Sequence, residues 1–150
     1  MTDTAIHRMV SACRGGAYPG CVAHLPSGWV ILAERQVLPG YCLLLPDPVV
    51  PHLNALDGTA RTTFLADMGI VGDALLALTG AIRINYAIFG NQEPALHAHV
   101  FPRYADEPAA QRMAQPWALD WAGAPAYSQE VYGELKGRLK EALESVLPGR

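Results

Sequence analysis

Two histidines stand two positions apart in the stretch ALHAHVFPRY, residues 95 to 104, and the whole chain has only five histidines. In an extended strand, residues i and i+2 point to the same face, so His97 and His99 would lie roughly 6 to 7 Å apart. A neutral imidazole can act as a nucleophile near neutral pH, because its unperturbed pKa is about 6.5. Spacing alone leaves three interpretations open: chemistry at a phosphorus atom, a metal site, or two histidines held for structural reasons.

The residues around this pair divide between the two faces of the predicted strand. Ala95 and Phe101 share the histidine face, whereas the other face is apolar and consists of Leu96, Ala98 and Val100. An apolar strand face packs on the core of a protein. We therefore expect both imidazoles on the side of the sheet opposite to that part of the core.

The composition indicates one compact globular domain. Of the 150 residues, 51% are hydrophobic and 17% are charged, which is typical of a chain that buries a sizeable core. The net charge of -3 provides no basic surface for DNA or RNA, although a small nucleotide needs only a few local donors. We therefore expect no nucleic acid partner.

Cysteine usage and hydropathy favour a cytoplasmic protein. Three cysteines are an odd count for a secreted disulfide scaffold, the N-terminus lacks a signal-peptide pattern, and the longest apolar stretches are short of a membrane span. Cys13, Cys21 and His24 could form part of a zinc site, but a closed structural site needs four ligands and no fourth is evident. We therefore expect no membrane partner, no resident metal and no cofactor.

The predicted elements follow the order strands, helix, strands, helix. Residues 1 to about 25 are rich in Gly and Pro and are predicted to be irregular, and residues 105–127 are predicted to be loop or short turns. Strands are predicted in GWVILAER, YCLLLP, RINYAIFGN and LHAHVFP, with a turn at VLPG between the first two; helices are predicted from Asp57 or Thr59 to about Leu78 and over SQEVYGELKGRLKEALESVL. This order predicts an α+β fold, an antiparallel β-sheet with two main helices packed on it.

Each predicted helix carries one apolar stripe, with apolar residues at every third or fourth position. The stripe of the first helix consists of Phe64, Met68, Val71, Leu75 and Leu78, and that of the second of Val131, Leu135, Leu139, Leu143 and Val146. Both stripes are expected to be buried.

The segment GNQEPALHAHVFPRY closely resembles the signature strand of the histidine triad (HIT) family of nucleotide hydrolases and transferases. A common branch of that family has Gly-Asn-x-x-Pro-His-Leu-His-x-His, followed by two apolar residues and Pro-Arg. The matching positions here are Gly90, Asn91, Pro94, Leu96, His97, His99, Val100, Phe101, Pro102 and Arg103. The segment VLPGYCLLLP is similar to the Pro-Gly-His hairpin strand of the family, so the resemblance covers about residues 27–104.

The resemblance implies a HIT-like fold, a single domain over residues 1–150 with a C-terminal loop and helix over 105–150, and a homodimer. It implies that His97 attacks the α-phosphorus of a purine nucleotide ester, anhydride or phosphoramidate, so that a nucleotidyl-histidine intermediate forms and is hydrolysed. His99 would contact the phosphate, and the Asn91 amide would donate to phosphate or leaving-group oxygens. The candidate substrates are diadenosine polyphosphates, as in the diadenosine polyphosphate hydrolase-like branch, and nucleoside phosphoramidates.

Two positions depart from the family pattern. Ala95 stands where the first histidine of the triad is expected, and Tyr41 stands where a histidine often follows Pro-Gly. These two histidines usually support the nucleophile through hydrogen bonds, so their absence would lower activity. Tyr41 retains a hydroxyl and is a candidate for direct contact with the substrate. The alternatives are therefore a nucleotide-binding HIT-like domain with weak or lost catalysis, or a protein in which the two histidines bind metal or serve the structure.

Other residues are weaker candidates for the site. Trp29 could form the wall of a nucleobase pocket or belong to the core, and Arg103 could bind phosphate bidentately or be solvated. Trp117 and Trp121 could cover the core, a partner surface or an edge of the substrate. The ring of His97 is expected to be oriented by a hydrogen bond from its second nitrogen to a backbone carbonyl.

Overall fold

The structure, a computed structural model, describes residues 3–147 and contains a five-stranded antiparallel sheet. The strands are β1 (Cys21–Leu25), β2 (Gly28–Leu32), β3 (Cys42–Pro46), β4 (Arg83–Ile88) and β5 (Ala98–Arg103), in the spatial order β1-β2-β3-β5-β4. The helices are α1 (Ala5–Arg14), α2 (Gly58–Thr79), α3 (Ala109–Arg112) and α4 (Gln129–Ser145), with short 3-10 turns at Leu53–Ala55 and Pro116–Ala118. The predicted α+β fold, with α2 and α4 as the two main helices on an antiparallel sheet, is confirmed.

Strand β3 lies at the centre of the sheet, and all five of its residues are buried. A continuous apolar run without alternation is typical of a strand that is covered on both faces. The register pairs Leu43 with Ile31 of β2 on one side and with His99 of β5 on the other. The strand that carries His99 is therefore held between the buried β3 and the outer strand β4.

The N-terminal region is regular, which differs from the prediction that it would be irregular, because α1 and β1 both lie within it. The hydroxyl of Thr4 accepts hydrogen bonds from the backbone N–H groups of Ile6 and His7, while the His7 ring accepts one from the N–H of Thr4. This reciprocal cap uses a histidine where Glu or Gln is the usual signal, so the pattern was easy to miss. The glycines and proline that suggested a loop begin only at Gly15, after the helix has ended.

Helix α2 has the predicted ends. The carboxylate of Asp57 accepts a hydrogen bond from the N–H of Ala60 at its start, and Gly80 ends it with a left-handed φ of 74°. The predicted stripe faces the core: Phe64, Met68, Val71 and Leu75 are buried, and Leu78 is half-buried.

The length and composition of α2 alone would also allow it to cross a membrane, which differs from the expectation that the apolar stretches are too short. The helix has 22 residues, and its most apolar 18-residue window has a mean hydropathy of 1.3. The core helix of a soluble protein passes the same test, and 39% of this window is buried within the structure. Its buried hydrophobic residues belong to the cluster that also contains residues of the sheet and of α4, so α2 acts as a core helix here.

Helix α4 buries a narrower face than the sequence predicts. Leu139 and Leu143 are fully buried, as expected, but Val131 is 68% exposed and Val146 is 57% exposed. Tyr132 is buried in place of Val131. The predicted stripe was therefore wrong at both of its ends, because Tyr132 takes the core position at the start and Val146 lies beyond Ser145, the last residue of the helix.

The two faces of the sheet bury separate apolar clusters. On the face covered by α2 and α4, β5 contributes Ala98 and Val100, as predicted from its alternation. On the opposite face, α1 and the segment 105–127 cover a cluster that includes Ala95 and Phe101. Since His99 alternates with the first pair along β5, the histidines belong to this second face.

Candidate active site

The two histidines lie side by side in the wall of one cavity. His97 directly precedes β5 and is 9% exposed, and His99 lies in β5. Their ring centroids are 5.0 Å apart, and the planes of the rings meet at 70°. The cavity has a volume of about 340 Å³ and is also lined by residues 89–93 and by Trp117. Both imidazoles therefore border the same space, as the predicted alternation requires, although His97 stands one residue before β5.

The orientation of His97 agrees with the expectation from the sequence. Its Nδ1 lies 2.8 Å from the backbone carbonyl oxygen of Ala95. A carbonyl oxygen can only accept, so Nδ1 of His97 must carry the hydrogen and donate. In the neutral ring, Nε2 then has a free lone pair, which is the form that a nucleophile needs.

The second histidine is held differently. The hydroxyl of Tyr41 lies 2.7 Å from Nδ1 of His99. Burial and, as the smaller cause, the charge of His97 lower the pKa of His99 to about 4, so His99 is neutral at pH 7. Among residues 3–147, Nδ1 of His99 is the one hydrogen-bond partner of the Tyr41 hydroxyl, so the O–H donates to it. The hydrogen of His99 is then on Nε2.

The two imidazoles therefore have complementary forms. Nε2 of His97 offers a lone pair, and Nε2 of His99 offers an N–H, while both Nδ1 atoms are occupied within the protein. A nucleophile beside a hydrogen-bond donor can attack an electrophilic centre while an oxygen on that centre is stabilised. The arrangement is suited to group transfer at a phosphoryl group.

Tyr41 lies behind His99, so its position differs from the predicted direct contact with the substrate. It is 4% exposed, and its ring stacks on Phe101 at a centroid distance of 4.2 Å, with Trp121 edge-on at 5.8 Å. Burial raises the pKa of Tyr41, which keeps the hydroxyl protonated. Its aromatic neighbours thus hold a neutral hydrogen-bond donor against His99.

The turn before the histidines forms a second wall of the cavity. Gly90 has a left-handed φ of 84°, a conformation that favours glycine, and Asn91 and Gln92 follow it as exposed residues lining the cavity. Asn91 is therefore at the cavity, where its predicted contact with a phosphate would require it to be. Oε2 of Glu93 accepts a hydrogen bond from the N–H of Ala5 at 3.1 Å, so this carboxylate is held by the first turn of α1.

Trp117 lies at the cavity, although the sequence left several roles open for it. It belongs to the 3-10 turn Pro116–Ala118 and is 47% exposed. Its ring meets His99 edge-on at 4.9 Å and Phe89, which is 61% exposed, at 5.2 Å. The signal that could have identified it is a large aromatic residue in a segment rich in Pro and Ala, but that signal gives no location.

Arg103 is a structural residue, which corrects its prediction as a phosphate ligand. It is 7% exposed, and its Nε and Nη2 donate to the two carboxylate oxygens of Glu107 at 3.0 and 2.8 Å. Nη1 donates to Asn85 and to the carbonyl of Ala114, and Nη2 also donates to the carbonyl of Gln111. All five N–H groups of the guanidinium are used, so none remains for a phosphate.

Trp29 also lies away from the histidines, which corrects its prediction as part of their binding pocket. Its indole stacks on His24 at 4.2 Å and donates a hydrogen bond to Asp47 at 2.9 Å. It lines a different cavity, together with Cys13 and Cys21. The zinc interpretation of the cysteine segment gains no support, because residues 3–147 contain no group of three or more His, Cys, Asp or Glu side chains that could hold a metal ion.

Neither a protein-family model nor a curated protein sequence matches this chain. Solved structures do match it. A histidine triad protein from Marinobacter aquaeolei VT8 has a TM-score of 0.75 at 20% identity, and the match covers 97% of this chain and 100% of that chain. A histidine triad protein from Bradyrhizobium japonicum has a TM-score of 0.70 at 22% identity, over 82% of this chain and 89% of that chain.

A hypothetical histidine triad nucleotide-binding protein from Sulfolobus tokodaii is similar as well. Its TM-score is 0.72 at 16% identity, and the match covers 93% of each chain. At these sequence identities the similarity establishes the fold alone, and the chemistry must be inferred from the residues of the site. The fold of this chain is therefore that of the histidine triad proteins.

Proposed function

We propose that the chain is a single HIT-like domain that binds a purine nucleotide and cleaves its α-phosphorus linkage, as a hydrolase or a nucleotidyl transferase. The observation that carries the proposal is the hydrogen bond from Nδ1 of His97 to the carbonyl of Ala95, because it leaves Nε2 free at a cavity beside a second imidazole. The nucleotide-binding description of the similar Sulfolobus tokodaii protein supports a nucleotide as the ligand.

The proposed reaction has two steps. Nε2 of His97 attacks the α-phosphorus, and the bond from phosphorus to the leaving oxygen or nitrogen breaks; the leaving group keeps the electron pair and takes a proton from water. Water then attacks the same phosphorus and loses a proton, and the bond from nitrogen to phosphorus breaks. A nucleoside monophosphate leaves, and His97 is regenerated. His99 and Asn91 donate hydrogen bonds to the phosphoryl oxygens as charge develops on them.

The charge of the cavity favours one of the candidate substrate classes. No lysine or arginine is among the residues that line it, and its one carboxylate, that of Glu93, is bound to the N-terminus of α1. A polyphosphate chain needs cationic partners more than a singly charged phosphoryl group does. Nucleoside phosphoramidates are therefore favoured over diadenosine polyphosphates, and the exposed rings of Phe89 and Trp117 offer a stacking surface for a planar group.

A nucleotide-binding HIT-like domain with weak or lost catalysis is the second candidate, and Ala95 is the observation that favours it. The side chain of Ala95 cannot form a hydrogen bond, and Tyr41 contacts His99 and not His97. Within residues 3–147, the hydrogen bond that orients the proposed nucleophile is then the one to a backbone carbonyl. Ala95 occupies the position where the resemblance to the family places the first histidine of the triad.

Intact-protein mass spectrometry tests the two candidates together. The protein is mixed briefly with an adenosine phosphoramidate or with a diadenosine polyphosphate and then quenched both in acid and at alkaline pH, because a phosphohistidine bond is labile in acid. An adenylyl adduct on the protein that is absent from His97→Ala supports catalysis. His52→Ala is the matched control, since His52 is an exposed histidine outside the cavity lining.

The outcome of this experiment also separates the candidates. Tight nucleotide binding without an adduct or nucleoside monophosphate selects the binding domain, and Ala95→His should then increase turnover if the missing side chain is the cause. Absence of nucleotide binding in a calorimetric titration overturns both candidates and leaves the histidines with a structural role.

We also propose that the protein is a cytoplasmic homodimer. The outer strand β4 exposes Tyr86, at 44%, and is flanked by Ile82, which is 58% exposed. A sheet edge with exposed apolar residues is suited to pairing with a second chain. Light scattering coupled to size-exclusion chromatography tests the dimer.

The cytoplasmic location is supported by the free thiols of Cys13, Cys21 and Cys42, which agree with a reducing compartment.

A further inference from the structure

A second cluster of reactive side chains lies at the β1 edge of the sheet. Cys13, in the last turn of α1, and Cys21, the first residue of β1, line one cavity of about 370 Å³. Lys136 and Lys140 of α4 line the same cavity. No residue of its lining belongs to the lining of the histidine cavity, so the proposed nucleotide chemistry leaves this cluster unexplained.

An irregularity in β1 directs Cys21 toward α1. Cys21 pairs with Ile31, but Ala23 pairs with Val30, so one extra residue is accommodated between the two positions. Regular alternation would place Cys21 and Ala23 on the same face. Instead, Ala23 joins the cluster under α2 and α4, while Cys21 packs on the opposite cluster, to which Cys13 belongs. The bulge therefore re-aims one cysteine toward the other.

The two thiols line the same cavity, pack in the same apolar cluster and differ in acidity. Interaction with the Cys13 thiol lowers the pKa of Cys21 more than burial raises it, and the charges of Lys136 and Lys140 lower it further. Interaction with Cys21, together with burial, raises the pKa of Cys13. The proton of the pair is thus held on Cys13, and the thiolate form is favoured at Cys21.

We propose that Cys13 and Cys21 form a redox-active dithiol, which a hydroperoxide oxidises to an intramolecular disulfide that joins α1 to β1. The Cys21 thiolate attacks one peroxide oxygen and the O–O bond breaks, giving a sulfenic acid. When the reactant is hydrogen peroxide, the other oxygen leaves as hydroxide and takes a proton from the solvent to become water. The sulfur of Cys13 then attacks the sulfur of Cys21, the S–O bond breaks, and a second water leaves with the Cys13 proton. The two thiols lose two electrons and the peroxide gains them.

The access of peroxide to the dithiol follows from the same geometry. Cys21 is half-buried and faces the cavity, so a small peroxide can reach the sulfur that attacks first. A disulfide has a sulfur–sulfur distance of about 2 Å, so the two thiols that line this cavity must approach each other to that distance. The third cysteine has neither property: Cys42 is fully buried, and its thiol donates to the carbonyl of Gly40. Cys42 therefore serves as the internal control.

Peptide mapping of the full chain tests the disulfide directly. The reduced protein is freed of reductant, treated with EDTA and an equimolar amount of hydrogen peroxide, alkylated with N-ethylmaleimide and digested with trypsin. Cleavage after Arg14 separates the two cysteines into peptides 9–14 and 15–35, and Cys42 lies in peptide 36–61. We expect peptides 9–14 and 15–35 linked by a bond that dithiothreitol breaks, an intact mass lower by two hydrogens, and peptide 36–61 alkylated.

Variants separate the dithiol from general oxidation. Cys21→Ser should abolish the linked peptides, Cys42→Ala should leave them unchanged, and joint replacement of Lys136 and Lys140 by Gln should slow their formation by roughly threefold or more. Alkylation of both peptides after peroxide treatment, a link to Cys42, a link between two chains, or separate sulfinic acids on Cys13 and Cys21 would each overturn the proposal. Peptide mapping of the wild-type protein decides whether the disulfide forms, even if a variant fails to fold.

Discussion

The two ends of the segment from His97 to Arg103 carry polar side chains that differ in how completely their hydrogen-bonding groups are used within the protein. At one end, all five N–H groups of Arg103 have acceptors within the protein. At the other end, His97 and His99 each use one ring nitrogen internally and leave the other at a cavity. A buried polar group is costly unless it is hydrogen-bonded, so a group with unused capacity at a cavity wall indicates ligand binding, whereas a saturated group indicates a role in stability.

The largest expected effect is the loss of activity in His97→Ala. We expect kcat/KM for an adenosine phosphoramidate to fall about 10⁴-fold, because the attacking atom is removed. The free energy of unfolding should fall by no more than about 2 kcal/mol, since one hydrogen bond to the carbonyl of Ala95 is lost. Release of the free amine and urea denaturation measure the two quantities, and full activity in the variant would contradict the proposed nucleophile.

The opposite pattern is expected at the other end of the strand. Arg103→Met leaves the carboxylate of Glu107 buried without its partner, so the free energy of unfolding should fall by about 3–5 kcal/mol in urea denaturation. The folded fraction should keep its kcat/KM within about twofold. Arg112→Met, which replaces an exposed arginine of α3, is the matched control. If the Arg103 variant remains stable but loses affinity for nucleotide, the prediction that Arg103 binds phosphate would stand again.

A pH dependence of stability should come from His99. Its pKa in the folded protein is about 4, below the value near 6.5 in the unfolded chain, so the unfolded state binds more protons between these values. The stabilising contribution is complete above pH 6.5 and is lost as the pH falls toward 4, by up to about 3 kcal/mol. Urea denaturation from pH 4 to 7 measures it, and His99→Gln, which does not titrate, should have a flatter profile.

A smaller effect is expected from Tyr41→Phe, which keeps the ring stack and removes the donor to Nδ1 of His99. We expect the rate to fall about 10-fold and the free energy of unfolding by about 1–2 kcal/mol, since an imidazole nitrogen is left without its partner. Tyr41 is a positioning residue, so the nucleotide KM should stay within about twofold. A loss confined to KM would instead indicate direct contact with the substrate.

The smallest difference is expected between two tryptophans. Trp117 faces the histidine cavity, so Trp117→Ala should raise the KM of an aromatic phosphoramidate by roughly fivefold, as expected for the loss of one stacking contact. Trp29 lies at the cysteine cavity, so Trp29→Ala should leave KM unchanged within about twofold in the folded protein. Steady-state kinetics on both variants measure KM. A change in KM for Trp29→Ala alone would assign the substrate contact to Trp29 and not to Trp117.

The parts of the fold and the site that could be predicted are those that depend on contacts between residues close in sequence. The ends of α2 were predictable, because Asp57 and Gly80 act on backbone groups a few residues away. The helix α1 was missed, because its cap uses His7 in a role that pattern rules reserve for Glu or Gln. The role of Arg103 was missed because all of its partners except Asn85 belong to a segment without periodicity, in which the sequence shows no preferred contacts.

The sequence by itself determined that His97 and His99 share a face, since alternation is a local property of an extended chain. Only the tertiary structure decided what each polar group contacts. Tyr41 reaches His99 across 58 positions of sequence, and Arg103 saturates its donors with Asn85 and with the segment that follows it. The physical reason is that hydrogen-bond partners and burial depend on which distant segments pack together, whereas the direction of a side chain along a strand depends only on the backbone next to it.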